Sequence, residues 1–361
     1  MTHRRRAAIV VALCAAAGAA AAASACSFPD HASTPHVGPE LVLVARFEEQ
    51  PTGVAVSRSG RVFVNFPRWR GEPETPVAEV LADGSTRPYP PDEKARGSLV
   101  SVQSVHVDAA DRLWILDPAN PGLPQSGVVL GEAKLVRVDL ATDAVARVYR
   151  FDGNTAPEDS YLNDVRVDVA GDIAYLTDSA LGALIVLDLR TGAARRVLEG
   201  HPSVEAEEGV VPVVGGEPWT APFGIVPQVK SDGIALSPDG RWLYWHAVTG
   251  RTLWRAPARD LRPETVERVA TTSCVDGMEM DAAGDLYLTA IEHDAIERVS
   301  REGAIHTIVR DPRIQWPDSI AIGPDRTLYV ACSQIHLMRL FNWGYSPRTE
   351  PYAVYRVALP R

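Results

Sequence analysis

The sequence lacks the short motifs that mark nucleotide sites and serine or zinc hydrolases. It has no G-x-x-x-x-G-K-[ST] phosphate loop, no G-x-G-x-x-G dinucleotide fingerprint, no G-x-S-x-G nucleophile turn and no H-E-x-x-H zinc motif. These absences argue against a nucleotide cofactor and against a serine nucleophile.

Cysteine is scarce, with four in 361 residues. Cys14 and Cys26 lie in the N-terminal segment, which leaves Cys274 and Cys332 in the body of the chain. Two cysteines without metal-ligand spacing do not predict a zinc site. The sequence leaves open whether this pair forms a disulfide or stays as two buried thiols.

Basic residues are fewer than acidic ones. The chain has 36 Lys and Arg and 46 Asp and Glu, so the formal net charge is −10. Residues 1–25 contain Arg4, Arg5 and Arg6 and no acid, so the remainder is more acidic still. Such a body repels nucleic acid and anionic lipid. We therefore expect a small molecule or a cation as the partner and no nucleic acid. We also expect the protein to be a monomer.

The N-terminus is typical of an export signal. Arg4–Arg6 precede an apolar run rich in alanine, and Ala23-Ser24-Ala25 forms an A-x-A cleavage site. The run is short for a membrane span. Cys26 follows directly, so the exported protein is either soluble, in the periplasm or secreted, or lipid-anchored through Cys26. We predict an export signal over 1–25, a flexible tether over 26–39 and one domain over 40–361.

An internal repeat organises that domain. Six segments share an alternating apolar strand, a turn with Asp or Gly, and a second apolar strand. The first strand of each segment has a central residue, and neighbouring centres lie 42 to 69 positions apart. These centres are Val54, Val105, Val165, Ile234, Met278 and Ile320. Further strand-like runs between the units supply about four strands per repeat. This pattern predicts an all-β fold, a six-bladed β-propeller with four-stranded antiparallel blades.

The segments Glu40–Phe47 and Tyr352–Leu359 are predicted to complete the terminal blades and so tie the chain ends together. The longest insertion, residues 200–230, ends just before the fourth inner strand. It is either a surface loop or a cover over the channel mouth.

Residues that enter the inner strands are expected to converge at one mouth of the central channel. Two places before the strand centres, every unit has a side-chain oxygen acceptor: Thr52, Gln103, Asn163, Asp232, Asp276 and Asp318. For any single residue, capping a turn explains such an acceptor. Turn chemistry does not, however, require one in all six units. We therefore predict an acidic mouth lined with oxygens, with Thr52, Gln103 and the neighbouring Asp164 as ligand-binding residues.

Hard oxygen donors suit Ca²⁺, Mg²⁺ or Mn²⁺. The predicted metal ligands are Asn163, Asp232, Asp276 and Asp318. Deeper in the channel we expect His106, Arg166 and Glu279, with an Arg166–Glu279 ion pair as the non-catalytic alternative. Predicted catalytic acid or base groups are Asp276, Glu279 and His246, although a lone histidine is more often structural.

Several stretches resemble the major royal jelly protein and yellow family. They include GVAVSRSGRVFVNFPRWR at 53–70, SVQSVHVDAADRLWILD at 101–117 and DPRIQWPDSIAIGPDRTLYVACSQIHLM at 311–338. The resemblance spans essentially all of 40–340. It implies a secreted six-bladed propeller; some members are linked to dopachrome conversion and others bind small amines in the channel.

A weaker resemblance is to the SMP-30/gluconolactonase-like propellers, through Asn163-Asp164 and Asp276-Gly277-Met278. In that family one Glu, two Asn and one Asp hold a divalent metal. Here Asp232 replaces one Asn, and Thr52 stands where the Glu is expected.

Three functions follow from these residues. The first is a dopachrome-tautomerase-like isomerase or a lactone hydrolase that depends on a divalent metal. The second is a protein that captures an amine or a cation without turnover. The third is an interaction propeller of the cell envelope.

Overall fold

The computed structural model describes residues 35–123 and 126–360, which form six four-stranded antiparallel sheets and one short hairpin. The predicted export signal and residues 26–34 of the tether lie outside these residues. The first strand, β1 (Val42–Phe47), belongs to the last blade.

In every blade, the strands after β1 are arranged from the channel outwards in the order in which they occur along the chain. Blades one to three consist of β2 (Gly53–Val56), β3 (Val62–Asn65), β4 (Val77–Val80) and β5 (Thr86–Pro88); β6 (Ser104–Val107), β7 (Arg112–Asp117), β8 (Lys134–Asp139) and β9 (Ala144–Arg150); β10 (Leu162–Asp168), β11 (Ile173–Asp178), β12 (Ala183–Asp188) and β13 (Ala194–Val197).

The insertion before blade four contains the hairpin of β14 (Val213–Val214) and β15 (Glu217–Pro218). Blades four to six consist of β16 (Ser231–Leu236), β17 (Trp242–Ala247), β18 (Thr252–Pro257) and β19 (Glu267–Thr271); β20 (Val275–Met280), β21 (Leu286–Ala290), β22 (Ala295–Val299) and β23 (Ile305–Arg310); β24 (Pro317–Ile322), β25 (Thr327–Cys332), β26 (Tyr352–Ala358) and β1.

The blades close into a ring. Each inner strand contacts the inner strand of the next blade, in the order β2, β6, β10, β16, β20, β24 and back to β2. The sixth blade joins the chain ends, because β1 pairs antiparallel with β26, with Val42 opposite Arg356. The predicted six-bladed propeller is confirmed, and both terminal segments lie in one blade.

Apolar side chains fill the space between neighbouring blades. Trp114 and Leu116 of β7, for example, belong to one buried cluster with Val165 and Leu176 of blade three. A single blade leaves such faces exposed, so the blades stabilise one another through burial of apolar area. Cys274 and Cys332 are buried as free thiols.

Aspartates at the far hairpin turns have a structural role. Asp108 accepts hydrogen bonds from the backbone N–H of Ala110 at 2.8 Å and of Arg112 at 3.1 Å. Asp281 does the same for Ala283 and Asp285. These carboxylates accept hydrogen bonds from turn N–H groups that have no partner in a neighbouring strand.

Helices are few and short. The described part of the chain has one α-helix, α1 (Glu93–Gly97), and 3₁₀ turns at Pro202–Val204, Pro222–Gly224, Pro263–Thr265, Pro324–Arg326 and Ile335–Leu337. None of the helices described has the length and apolar character needed to cross a membrane. At the end of the predicted tether, Val37 forms a β-bridge with Arg310, so the last tether residues contact blade five.

Candidate functional site

A β-bulge opens the inner strand of blades three to six. The pairing register with the second strand shifts between Leu162 and Val165, and likewise at 231–234, 275–278 and 317–320. In each of these four strands, the two residues within the shifted region are the predicted mouth residue and the residue after it. A bulge leaves a residue outside the ladder and re-aims its side chain, which here turns Asn163 and three aspartates towards the channel.

Two glycines allow the bulged strands to approach one another. A Cβ atom on Gly233 would lie 2.3 Å from the carbonyl oxygen of Asp276, and one on Gly277 would lie 2.3 Å from that of Asp318. Both separations are far below van der Waals contact. The backbones of blades four, five and six therefore meet only because these positions lack a side chain.

Threonine hydroxyls from the second strands support the bulges. The N–H groups of Asp276 and Gly277 both donate to Thr289 Oγ1, at 3.2 and 2.8 Å. In blade three, Thr177 Oγ1 accepts from Asp164 N and donates to the carbonyl of Asp232. These bonds satisfy backbone groups that the bulges remove from the ladder.

The three aspartates lie together at the floor of the site. Asn163 Nδ2 donates to Asp232 Oδ2 at 2.6 Å, and the indole N–H of Trp316 donates to Asp276 Oδ2 at 2.6 Å. The carboxyl groups of Asp232 and Asp276 are hydrogen-bonded to each other. Two carboxyl groups can share such a bond only when one carries the proton.

Burial and mutual repulsion shift the acidity of this group. Burial is the main cause that raises the pKa of Asp276 to about 7, against the Trp316 hydrogen bond, which lowers it. Burial, with the nearby charge of Asp276, raises the pKa of Asp232 and that of Asp318 well above the usual value. The floor therefore binds protons more tightly than exposed carboxylates do.

Aromatic side chains wall a cavity of about 390 Å³ above this floor. Its polar lining consists of Gln103, Asn163, Ser179, Gln228, Asp232, Asp276 and Asp318, and its aromatic lining of Trp69, Tyr161, Trp219, Trp316 and Phe341. The volume and the mixture of apolar walls with a few polar groups are those of a small-molecule site.

The 200–230 insertion covers part of the cavity, as the functional interpretation of that loop predicts. Its buried Trp219 contacts Trp316 in an edge arrangement, with ring centroids 4.7 Å apart, and Phe341 at 4.9 Å. Val213 N donates to Glu292 of blade five, which ties the insertion to the ring. Residues 227–229, at the end of the insertion, also line the cavity.

A chain of side-chain hydrogen bonds leads from blade one to the floor. The indole of Trp69 donates to the Tyr161 hydroxyl at 2.8 Å, and this hydroxyl donates to Gln103 Oε1 at 2.7 Å. Gln103 Nε2 lies 3.4 Å from Asn163 Oδ1, and Asn163 bonds to Asp232. The predicted ligand-binding residue Gln103 thus reaches the site.

The other predicted residues lie outside the cavity lining. Thr52 donates to the backbone carbonyl of Gln103 at 2.8 Å, and Asp164 accepts from Ser104 Oγ at 2.8 Å. Glu279 pairs with Arg166 at 3.4 Å, the ion pair that the sequence offered as its non-catalytic alternative.

His246 is also outside the lining. It is fully buried, with Nδ1 bonded to the carbonyl of Ala247 and Nε2 to Thr272. Ligand binding by Thr52 and Asp164, and catalysis by Glu279 and His246, stay predictions that their positions do not favour.

The four predicted metal ligands all line the cavity. Oxygens of Asn163, Asp232 and Asp276 accept hydrogen bonds from Gln103, Asn163 and Trp316, whereas Asp318 Oδ2 has no hydrogen-bond partner among the described residues. Within the described residues, no three His, Cys, Asp or Glu side chains are arranged to hold a metal ion. As arranged, this set fits an acid–base pair better than an ion. The divalent cation stays a prediction.

Sequence reasoning missed the aromatic walls. Trp69 and Trp316 lie within the stretches that carry the family resemblance, so their positions were visible but their inward direction was not. Trp219 and Phe341 come from loops outside the repeat, and only the folded chain brings them together.

Comparison with known proteins agrees with this architecture. Major royal jelly protein 5 of Apis mellifera is 27% identical over 210 residues, covering 54% of this chain and 33% of that protein. The dopaminechrome tautomerase of Drosophila melanogaster is 27% identical over 166 residues, covering 41% and 35%. The matches thus span about a third of the length of these relatives.

Among solved structures, a gluconolactonase from Xanthomonas campestris superposes with a TM-score of 0.57 at 14% identity, covering 92% of this chain and 94% of that one. This likeness concerns the fold. The profile of the family described as Major royal jelly protein matches residues 100–352, which is more than half of the chain. The chain therefore belongs to the major royal jelly protein family.

Proposed function

We propose that this protein binds a compact aromatic molecule in the cavity and isomerises it by moving a proton through Asp232 and Asp276. The observation that carries the proposal is the hydrogen-bonded carboxyl pair at the floor of an aromatic-walled cavity. The similarity to a dopaminechrome tautomerase supports the reaction class.

The reaction needs no further reactant. One carboxylate takes a proton from one atom of a conjugated carbonyl or iminium compound, and the partner carboxylic acid returns a proton to another atom. Asn163 donates to Asp232 Oδ2 and Trp316 donates to Asp276 Oδ2, which keeps the carboxyl groups oriented for that exchange.

The walls and floor also favour a second function, capture of an aromatic amine or another cation without turnover. The two functions share the site and differ only in whether the proton moves. Export of the chain, either as a soluble protein or anchored through an acylated Cys26, is likewise proposed, and mass spectrometry of the mature N-terminus distinguishes the two forms.

Turnover distinguishes these functions. We expect purified protein to tautomerise an aminochrome in the presence of EDTA and to leave sugar lactones intact. Asp232→Asn and Asp276→Asn should each lower kcat by about 100-fold or more, as loss of an acid–base group does. Asp159→Asn, at an exposed carboxylate, is the matched control and should leave kcat unchanged.

Binding without turnover in the wild-type protein would establish the capture function instead. Turnover of lactones that EDTA abolishes and Ca²⁺ or Mn²⁺ restores would show a metal-dependent hydrolase, and the carboxyl-pair mechanism would then be wrong.

A further inference from the structure

Large apolar side chains are exposed around the mouth of the channel. Among the described residues, the five most exposed of them have between 62% and 86% of their surface accessible to water. These five are Leu130, Phe223, Ile225, Trp343 and Tyr345. Single exposed apolar residues are normal on a soluble protein, but a group of them on one surface marks a place of interaction.

All five lie on one face of the propeller. Each inner strand begins at the mouth, so in an antiparallel blade the connection from the second to the third strand also lies on the mouth face. Leu130 belongs to that connection in blade two, and Trp343 and Tyr345 belong to it in blade six. Phe223 and Ile225 lie in the insertion that leads into the inner strand of blade four.

The exposed group continues the aromatic walls of the cavity outwards. The rings of Phe223 and Trp343 meet edge to face, with centroids 5.0 Å apart, so the insertion and the loop of blade six are in contact. The same two segments supply Trp219 and Phe341 to the cavity lining. Four side chains of these segments form what we call the rim: Phe223, Ile225, Trp343 and Tyr345.

The backbone of the rim is strained and held in place. Phe223 has a φ of 67° and Trp343 a φ of 54°, in the left-handed region that bulky residues rarely adopt. Asn342 Nδ2 donates to two carbonyls of its own loop at 2.7 and 2.9 Å, and the N–H of Ala221 donates to the carbonyl of Ile225 at 2.7 Å. Strain that local contacts maintain, on rings that face solvent, indicates a functional surface.

The composition of the rim indicates what it contacts. Residues 218–229 and 340–347 contain no Asp, Glu, Lys or Arg, while Arg339 and Arg348 flank the second segment. Trp, Tyr and other apolar side chains with arginine at their border are typical of surfaces that sit at a bilayer interface. The chain has a net charge of −10, so burial of apolar area, not attraction to anionic lipid, would supply the binding free energy.

The chain enters the described structure on the same face. The outer strand of a blade runs towards the mouth, so β23 ends there at Arg310, whose backbone pairs with Val37. Nine peptide links separate Cys26 from Pro35, which can span at most about 30 Å. A lipid anchor at Cys26 would therefore hold the mouth face close to a bilayer.

We propose that the rim is a membrane-docking surface and that its partner is a lipid bilayer rich in zwitterionic lipid. The rim side chains enter the boundary between headgroups and acyl chains, and the mouth of the cavity then opens at the bilayer surface. This inference goes beyond the proposed reaction and does not depend on it. It also stands without acylation of Cys26, which would add to the binding.

Vesicles of phosphatidylcholine test the rim directly. Every protein compared is the full chain with Cys26→Ser, so that no acyl group contributes and residues 1–34 are common to all. In vesicle sedimentation, Phe223→Asn and Trp343→Asn should each weaken binding by about tenfold; asparagine is chosen because it tolerates a left-handed backbone. Leu81→Asn, at an exposed leucine in the β4–β5 turn of the opposite face, is the matched control and should bind like the parent protein.

Fluorescence reports whether the rim itself enters the bilayer. Vesicles that contain brominated phosphatidylcholine should quench part of the indole emission of the parent protein. Trp343→Phe keeps an apolar ring and should keep most of the vesicle binding, yet it should lose most of that quenching. A circular-dichroism melting curve for each variant confirms that the compared proteins are folded.

Equal binding by the parent protein and the folded Phe223→Asn and Trp343→Asn variants would overturn the inference, as would a parent protein that binds no vesicles. In the second case, sedimentation velocity identifies what the rim contacts instead. A dimer that Phe223→Asn converts to a monomer would make the rim a contact between two copies of the chain. A parent protein that is already a monomer would point to a different protein as the partner.

Discussion

Blades one and two differ from blades three to six at the mouth of the channel. In the first two, the inner strand pairs with its neighbour without a register shift, with Gly53 opposite Asn65 and Ser104 opposite Leu116. In the other four, a bulge interrupts the same pairing. The repeated sequence pattern is shared by all six, so the difference lies in backbone geometry.

The consequence is a division of labour around the ring. In blade one, Thr52 donates to the carbonyl of Gln103 and accepts from Asn65, so its hydroxyl joins neighbouring blades. In blades four to six the equivalent residues are aspartates that face the cavity. At this position, blade one contributes a contact between blades, whereas the bulged blades three to six contribute Asn163 and the three aspartates of the cavity floor. Four substitutions test this division, from the largest expected effect to the smallest.

The largest effect concerns the stability of the bulged blades in acid. Burial lowers the pKa of His246 to about 4, so the unfolded chain takes up a proton before the folded chain does. The resulting stability is present above pH 6.5 and is lost as pH falls towards 4, by on the order of 3 kcal/mol. Urea unfolding of His246→Gln at pH 4.5 and 7.5 should show a smaller pH dependence than the wild-type protein. The exposed His306→Gln is the control, and an unchanged pH dependence in His246→Gln would contradict the prediction.

Close approach of the bulged strands predicts the next effect. Gly277→Ala places a Cβ against the backbone oxygen of Asp318 and should lower the free energy of unfolding by about 1–3 kcal/mol. Gly153→Ala has open space around the new atom and should change it little. Denaturant melts of the two variants check this, and equal stability of both would show that blades five and six move apart without cost.

A Trp→Phe substitution should affect turnover differently in the bulged and the unbulged blades. Trp316→Phe removes the N–H that bonds directly to Asp276, and we expect kcat for an aminochrome to fall about tenfold, as for one lost hydrogen bond to a charged group. Trp69→Phe removes an N–H that reaches the pair only through Tyr161, Gln103 and Asn163, and kcat should stay within about twofold. Equal losses of kcat for the two variants in steady-state assays would contradict the proposed difference between bulged and unbulged blades.

The smallest effect tests what supports a bulge. Thr289→Val leaves the N–H groups of Asp276 and Gly277 without their hydroxyl acceptor and should lower the free energy of unfolding by about 1 kcal/mol. Thr289→Ser restores the acceptor and should recover most of that loss in the same urea titration. If valine were tolerated as well as serine, the bulge would not depend on this hydroxyl.

Much of the fold was predictable because the propeller repeats a local pattern. Alternating apolar residues around Val165 or Ile320 predict inner strands, and the turn aspartates Asp108 and Asp281 predict hairpins. The mouth residues were predictable for the same reason, since one position per repeat converges on the axis. Thr52 was the exception: its hydroxyl is drawn into contacts between blades.

The cavity walls were not predictable, since Trp219 and Phe341 lie in loops without a repeat and meet across more than a hundred residues. The bulges also leave only a weak trace, in Gly233 and Gly277. Periodicity within the sequence by itself determined the six blades and the acidic character of one mouth, because strand pairing and blade stacking depend on local alternation. Only the tertiary structure decided which of the carboxyl groups are hydrogen-bonded to each other. Those relations depend on distances between blades that no local pattern encodes.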